Sequence, residues 1–475
     1  MRNRLAALTA VTTVLVSCIS PTATPTPGPT TTSTLQNPVS ANPVLENPAP
    51  CPNTPGFTCT TLRVPLDHGR RTGPALELSV AAADNADAPR GVLLLLTGGP
   101  GQPGVSLVNR VRNYFDPAVL AQYRLVMFDQ RGTGPKGINC QELQTSVGGS
   151  DWLTPAADAV DACSRQLGKN RDFYRSTDTV ADVDLLRRAL GQQRLTIDGV
   201  SYGTFTGAHY ALSHPSRVSA LILDSVVPFS GLDPFGVDLL GTTTRTVLAR
   251  ACAQDPACTT DPVADLAWLL RNGELDGKPI NGVNFVESLS IMSVSSVNPS
   301  FKGIPKLLND ARNGNMAPLK QFLERASGLG TPYDQLSAGL HMATLCSDVR
   351  KQPWGTSETP LALRQAALDR AVSRLDPATL YPYDVRTARS MLMVEGCLRW
   401  EPARASTYSK LPRLVPPTLI LHGTNDLFCP VEDAVWTKRQ APRGRLVVVP
   451  GGGHGIQGSP TDPTGKNAVR SFLLN

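Results

Sequence analysis

The chain is short of charge and of aromatic rings. Asp, Glu, Lys and Arg make 18% of its 475 residues and Phe, Trp and Tyr 5%, against 41% hydrophobic residues. So much apolar material beside so little charge excludes a disordered chain. The length exceeds what one hydrophobic core usually organises, which excludes a small binding module and predicts a domain of roughly 250 residues or more with a large insertion or second lobe. Positive charge is thin as well: the net charge is +6, and no run of five or more Lys or Arg occurs. Without a basic track, nucleic acid is not expected as a partner. No uninterrupted apolar run reaches the roughly 20 residues that a membrane-spanning helix requires. The sequence holds no HExxH and no zinc-type cysteine spacing, so neither a metal nor another cofactor is expected.

What is present begins with MRNRLAALTAVTTVLVSCIS: two arginines, an apolar stretch from Leu5 to Val16, then Ser17 and Cys18. This reads as a secretory signal. Leu15-Val16-Ser17-Cys18 resembles the lipobox of bacterial lipoproteins, which implies a lipid on Cys18 as the first residue of the mature chain; the plainer alternative is a cleaved signal with a chance cysteine. The expected location is the outer face of a bacterial cell membrane. Residues 19–50, rich in Pro, Thr, Ser and Asn, read as an extended spacer. Nine further cysteines follow in a chain bound for an oxidising space. Neighbours in sequence suggest Cys51 with Cys59, Cys140 with Cys163 and Cys252 with Cys258, with Cys346 and Cys397 closing a longer loop and Cys429 left over. Connectivity does not follow from sequence alone.

The body alternates strand and helix patterns, which predicts a mostly parallel sheet flanked by helices. Apolar runs within GVLLLLTGGPG, YRLVMFDQRG, RLTIDG, RVSALILD and PPTLILHG read as buried strands, and TVADVDLLRRALG as a helix stopped by Gly191. Gly199-Val200-Ser201-Tyr202-Gly203, between a strand and a helix, has the form of a nucleophile elbow: the two glycines remove side chains where the backbone turns, so the serine hydroxyl projects above the sheet.

A serine hydroxyl needs a base to take its proton, and the base needs an orienting acid. Of six histidines, His454 in GRLVVVPGGGHGIQG is the candidate base, lying just past an apolar strand among glycines; His68, His209, His214, His341 and His422 read as structural. Asp426, beyond the strand Thr418 to Leu421, is the candidate acid, with Asp224 as the alternative. For the oxyanion, the backbone N–H of Tyr202 is one expected donor, and Gly99 in Thr97-Gly98-Gly99-Pro100-Gly101 the other. Asp129-Gln130-Arg131-Gly132 reads as a brace for this region. The expected divisions are a signal over 1–18, a spacer over 19–50, a core in two parts over 51–228 and 402–475, and a helical cap over 229–401.

Taken together, GGPG at 98–101, DQRG at 129–132, GVSYGT at 199–204, the Asp426 loop and GGGHG at 451–455 resemble the prolyl and tripeptidyl aminopeptidases, the serine peptidase family S33 of α/β-hydrolases. Cys140 soon after DQRG, Cys346-Ser347-Asp348 and Cys397-Leu398-Arg399-Trp400 resemble the tripeptidyl branch, whose members include secreted lipoproteins. The resemblance implies an α/β-hydrolase fold and release of residues or short peptides from free amino termini through a Ser201 acyl-enzyme. Thr97 stands where prolyl aminopeptidases usually carry histidine, and Val200 where the tripeptidyl branch often has glycine. An aminopeptidase also needs carboxylates for the substrate ammonium, and Asp348 and Glu395 are the expected pair. Two rivals remain: a carboxylesterase or lipase with the same machinery, and a non-catalytic envelope binding lipoprotein, which would be marked by the loss of the serine, the histidine or the acid.

Overall fold

The computed structural model describes residues 42–70, 72–295, 300–325, 330–408 and 413–475. The signal, Cys18 with its expected lipid, and most of the spacer lie outside the described residues.

The strands are β1 (Leu45–Pro50), β2 (Phe57–Pro65), β3 (Ala75–Ala83), β4 (Val92–Leu96), β5 (Arg124–Phe128), β6 (Leu195–Val200) and β7 (Val218–Asp224). A small hairpin, β8 (Glu274–Leu275) and β9 (Lys278–Pro279), precedes β10 (Thr418–Gly423) and β11 (Gly444–Val449). Among the described residues, all but the hairpin join one sheet of order β1-β2-β3-β5-β4-β6-β7-β10-β11. Neighbours from β1 through β3 to β5 are antiparallel; those from β5 to β11 are parallel.

β4 is buried along its whole length, as a strand covered on both faces must be. Its side chains alternate between two cores: Leu94 and Leu96 pack with Ile197 and Val126, Leu93 and Leu95 with Met127 and Ile222. This sheet presents the carboxyl ends of β4, β6, β7 and β10 along one rim, where an open α/β sheet holds its ligands.

The spacer expected to reach Pro50 ends earlier, because Leu45–Pro50 pairs with β2 in the sheet. Its prolines were misleading: an edge strand bonds on one side only, so residues without an N–H are tolerated there. The register slips between Glu46 and Ala49, around Asn47 at φ 55°.

Between β7 and β10 the described elements, apart from the small hairpin, are helices, among them Pro262–Asn272, capped by Asp261, and Leu361–Val372. The apolar cluster they form is not confined to 229–401. Ile138, Leu143 and Val160 from the connection after β5 pack into it with Leu340, Met342 and Val394. Residues 402–408 belong with it too, since Ser406 Oγ donates to the Asp348 carboxylate. Short cap helices leave apolar faces that need cover from outside the insertion. Among the described residues no helix is long and apolar enough to cross a membrane.

All four neighbour pairings form disulfides, Cys51–Cys59, Cys140–Cys163, Cys252–Cys258 and Cys346–Cys397, and Cys429 is a buried thiol. The last bridge spans 51 residues and the third only 6. Replacing Cys346 and Cys397 by serine should therefore lower stability by about 2–4 kcal/mol. The denaturation midpoint would record it, and a smaller loss on opening Cys346–Cys397 than on opening Cys252–Cys258 would contradict the loop-length argument.

Candidate active site

Ser201 sits at φ 57° and ψ −128°, a left-handed conformation that costs a side-chain-bearing residue of order 1–3 kcal/mol. The flanking glycines make the turn possible. A Cβ on Gly199 would lie 2.4 Å from the Gly203 carbonyl oxygen, and one on Gly203 would lie 2.1 Å from the Leu96 carbonyl oxygen. The Ser201 N–H donates to the Asp224 carbonyl at 3.0 Å, which fixes the elbow to the end of β7.

The glycine loop after β4 presses against the serine, since a Cβ on Gly98 would come within 2.7 Å of Ser201 Cβ. Thr97 Oγ1 donates to the Gln102 carbonyl and closes this loop on itself. Asp129 accepts the Gly104 and Val105 N–H groups at 2.9 Å each, and Gln130 Nε2 donates to the Thr97 carbonyl at 3.2 Å. Arg131 is buried and donates to Asp182 and to the Pro65, Leu66 and Phe173 carbonyls. Among the described residues the Gly99 and Tyr202 N–H groups donate to no acceptor. Both residues line a cavity of about 50 Å³ together with Ser201.

His454 Nδ1 lies 3.0 Å from each Asp426 carboxylate oxygen. Oδ1 of the same carboxylate accepts the Phe428 and Cys429 N–H groups at 2.8 and 3.0 Å. Burial pushes the Asp426 carboxyl up, but the His454 charge and hydrogen bond outweigh it and hold the group at about 2. Burial likewise pulls His454 down, yet the carboxylates of Asp426, Asp224 and Asp151 leave it raised above its ordinary value. Asp224 serves another purpose. It accepts the Ile456 and Gln457 N–H groups, and Ser225 Oγ accepts that of Gly455, so the end of β7 shapes the turn after His454. Gly455 lies against Val200, which brings the histidine loop beside the elbow. Among the described residues no hydrogen bond joins Ser201 Oγ to the imidazole; contacts of this kind often tighten only with substrate in place.

Sequence reasoning missed the helix Gly282–Ser295, which ties the acid and base loops together. Ser293 accepts the His454 N–H with its carbonyl at 2.9 Å and the Leu427 N–H with Oγ at 3.3 Å, and Ser290 Oγ donates to the Leu427 carbonyl at 2.8 Å. No local pattern marks such serines. Asp151, Trp152 and His341, also on the wall of the 50 Å³ cavity, were not singled out as site residues either.

Asp348 and Glu395 do not take the place expected of them. Asp348 is buried and accepts hydrogen bonds from the hydroxyls of Tyr202, at 2.6 Å, and of Ser176 and Ser406. It therefore anchors the ring of the residue after Ser201 instead of awaiting a ligand. Glu395 is paired with Arg389 at 2.5 Å. Neither lines the cavity at Ser201: the Asp348 carboxylate is taken up by the hydroxyls of Tyr202, Ser176 and Ser406, and that of Glu395 by Arg389.

A second cavity of about 410 Å³ shares Trp152, Leu232, Met393 and Phe428 with the small one. Asp426, Cys429 and His454 hold three ligand-type atoms within 4.8 Å of one another. Asp426, however, is already engaged by the imidazole and two backbone N–H groups, so this trio is better suited to proton transfer than to holding a cation.

Residues 91–259 match a family described as alpha/beta hydrolase fold, and residues 374–475 one described as TAP-like protein. The chain is 31% identical over 195 residues to the tripeptidyl aminopeptidase of Streptomyces lividans, a match covering 36% of this chain and 35% of that one. It is 32% identical over 216 residues to serine protease Hip1 of Mycobacterium tuberculosis, covering 42% and 40%. A probable proline iminopeptidase of Streptomyces coelicolor is 32% identical over 143 residues, covering 30% and 34%. The matched regions thus span little more than a third of the length of these relatives.

Proposed function

We propose, from the premise that the chain belongs to the α/β-hydrolases, that it is a serine exopeptidase acting on free amino termini. One observation carries the exopeptidase reading: the cavity at Ser201 is walled on one side by Leu232, His341, Leu345 and Met393 of the cap, and a covered site favours short or extended chain ends over folded proteins. The names of the relatives, tripeptidyl aminopeptidase and proline iminopeptidase, point the same way.

In this reading Ser201 Oγ attacks the scissile carbonyl while His454 Nε2 takes its proton. Asp426 holds the ring by Nδ1 and stabilises the imidazolium. The oxyanion is received by the N–H groups of Gly99 and Tyr202. When the C–N bond breaks, His454 returns the proton to the departing amine, and a water molecule, deprotonated by the same imidazole, releases the acyl group from Ser201. The same machinery cleaves esters, so a carboxylesterase is the alternative. Full-length protein in detergent, offered free and acetylated amino acid and tripeptide chromogenic amides beside a short ester, separates the two. Ser201-dependent release from free amino termini supports the peptidase, and turnover of the ester alone moves the assignment to esterase.

We also propose export and lipid anchoring through Cys18, on the lipobox-like Leu15-Val16-Ser17-Cys18. Palmitate labelling should be lost in Cys18→Ala; labelling unchanged in that variant ends the proposal.

A further inference from the structure

The helix Ala338–Asp348 is buried along its whole length, so its polar side chains must find partners inside the protein. His341, Leu345 and Asp348 are spaced i, i+4 and i+7 and share one face, about 10 Å from end to end. That face is turned to the nucleophile. His341 and Leu345 line the Ser201 cavity, and Asp348 meets the Tyr202 phenol. Gly99 and Tyr202, whose N–H groups are the proposed oxyanion donors, stand on separate loops, and this one helix reaches both.

At the amino end the Ser337 N–H donates to the Gly101 carbonyl at 3.0 Å, and a Cβ on Gly101 would lie 2.7 Å from the Ser337 carbonyl oxygen, so the glycine loop rests directly on the helix start. One turn on, His341 Nδ1 stands 2.9 Å from the Pro100 carbonyl. A carbonyl only accepts, so Nδ1 carries the proton. Nε2 lies 3.2 Å from Oδ1 of Asp151, whose carboxyl burial pushes up to about 7 and which therefore has a proton to share with the ring. Pro100 and Gly101 directly follow Gly99, and the two bonds fix the loop from which its N–H projects. At the carboxyl end Tyr202 Oη donates to Asp348 at 2.6 Å, beside the hydroxyls of Ser176 and Ser406. The helix itself is anchored: Ser337 Oγ donates to the Ile138 carbonyl at 2.6 Å and accepts the Leu340 N–H at 3.1 Å, and Cys346 is bridged to Cys397.

We propose that the helix Ala338–Asp348 sets the geometry of the oxyanion hole, with His341 and Asp348 as positioning residues that act through the N–H groups of Gly99 and Tyr202. This rests on the Ser201 hydrolase reading and holds for amide and ester alike. Two donors on separate loops stabilise an oxyanion only if both are fixed before the charge develops. Hydrogen bonds from one buried, disulfide-anchored helix supply that fixity. Because the charge exists in the transition state and not in the bound substrate, loosening the helix should fall on kcat and leave KM little changed.

The test compares His341→Leu, His341→Asn and Tyr202→Phe with the unsubstituted full-length protein, on whichever of alanine p-nitroanilide and p-nitrophenyl butyrate it turns over. His341→Leu should lower kcat about a hundredfold, the scale of a donor misplaced by about 1 Å. It should weaken inhibition by phenylboronic acid, whose boron takes the Ser201 oxygen to form a tetrahedral adduct, by a similar factor. His341→Asn puts an amide N–H where Nδ1 stood and should recover most of both losses. Tyr202→Phe removes the bond to Asp348 and keeps the backbone N–H, and kcat should fall about tenfold. Lacking a single oxygen, it carries the same two readouts where His341→Leu does not fold. Unchanged kcat in His341→Leu and Tyr202→Phe, a loss confined to KM, or His341→Asn no better than His341→Leu overturns the proposal and leaves the hydrolase reading standing. A protein with no Ser201-dependent turnover of either substrate overturns both.

Discussion

Ser201→Ala should reduce amide release on the order of a millionfold while leaving the fold intact. Loss of a nucleophile that acts as one unit with its base costs about as much as loss of the whole set, and what survives comes from binding and the oxyanion donors. A stability measurement adds a second arm, because the backbone at residue 201 stays left-handed whichever side chain it carries. Ser201→Gly should then be more stable than Ser201→Ala by about 1 kcal/mol, since glycine adopts that conformation without a Cβ penalty. Retention of more than a hundredth of wild-type turnover in the alanine variant would remove Ser201 from the nucleophile's role, and equal thermal midpoints for the two variants would show that the elbow is not strained.

Asp426→Asn is expected to lower kcat about 10⁴-fold, because an amide facing His454 Nδ1 no longer selects the tautomer that leaves Nε2 free to accept a proton. Its pH profile should change too. The base works only when neutral, and His454 is raised above the ordinary imidazole value of about 6.5. In the wild-type protein kcat/KM should therefore climb with pH through a pKa above 6.5. Removing the Asp426 charge takes away the principal force raising it, while burial still pulls down, so the rising limb of the residual activity should move to lower pH. Asp224→Asn provides the comparison: the Asp224 carboxylate hydrogen-bonds the backbone of Ile456 and Gln457 and raises His454 less than Asp426 does, so its loss should have a smaller effect. A larger loss in Asp224→Asn than in Asp426→Asn would reverse the choice of acid.

Much of this was legible from composition and pattern because central parallel strands are apolar from end to end. VLLLL and LVMF allow no other reading so close to glycine and proline clusters, and the elbow glycines stand where a Cβ would strike backbone. Disulfide partners close in sequence were legible for a similar reason, since short loops close easily. β1 was not, because Pro48 and Pro50 look the same in a spacer as at a sheet edge. Asp151 and His341 lie 190 residues apart and meet across the cavity wall, so no window of sequence contains both. Asp348 and Glu395 were drawn to the site by their neighbourhood to cysteines, a proximity that says nothing of which way a side chain points.

The serines of the helix Gly282–Ser295 carry a consequence for how such a protein could be re-engineered. Cap and machinery are commonly treated as separable modules, one choosing the substrate and the other cutting it. Here Ser290 and Ser293 fasten the loops of Asp426 and His454 to the cap. A cap transplanted from a relative to change selectivity would arrive without those tethers unless serines occupied the same turn of the incoming helix. Selectivity and competence are inherited together, and chimeras cut at the ends of β7 and β10 should be designed with that helix kept in place.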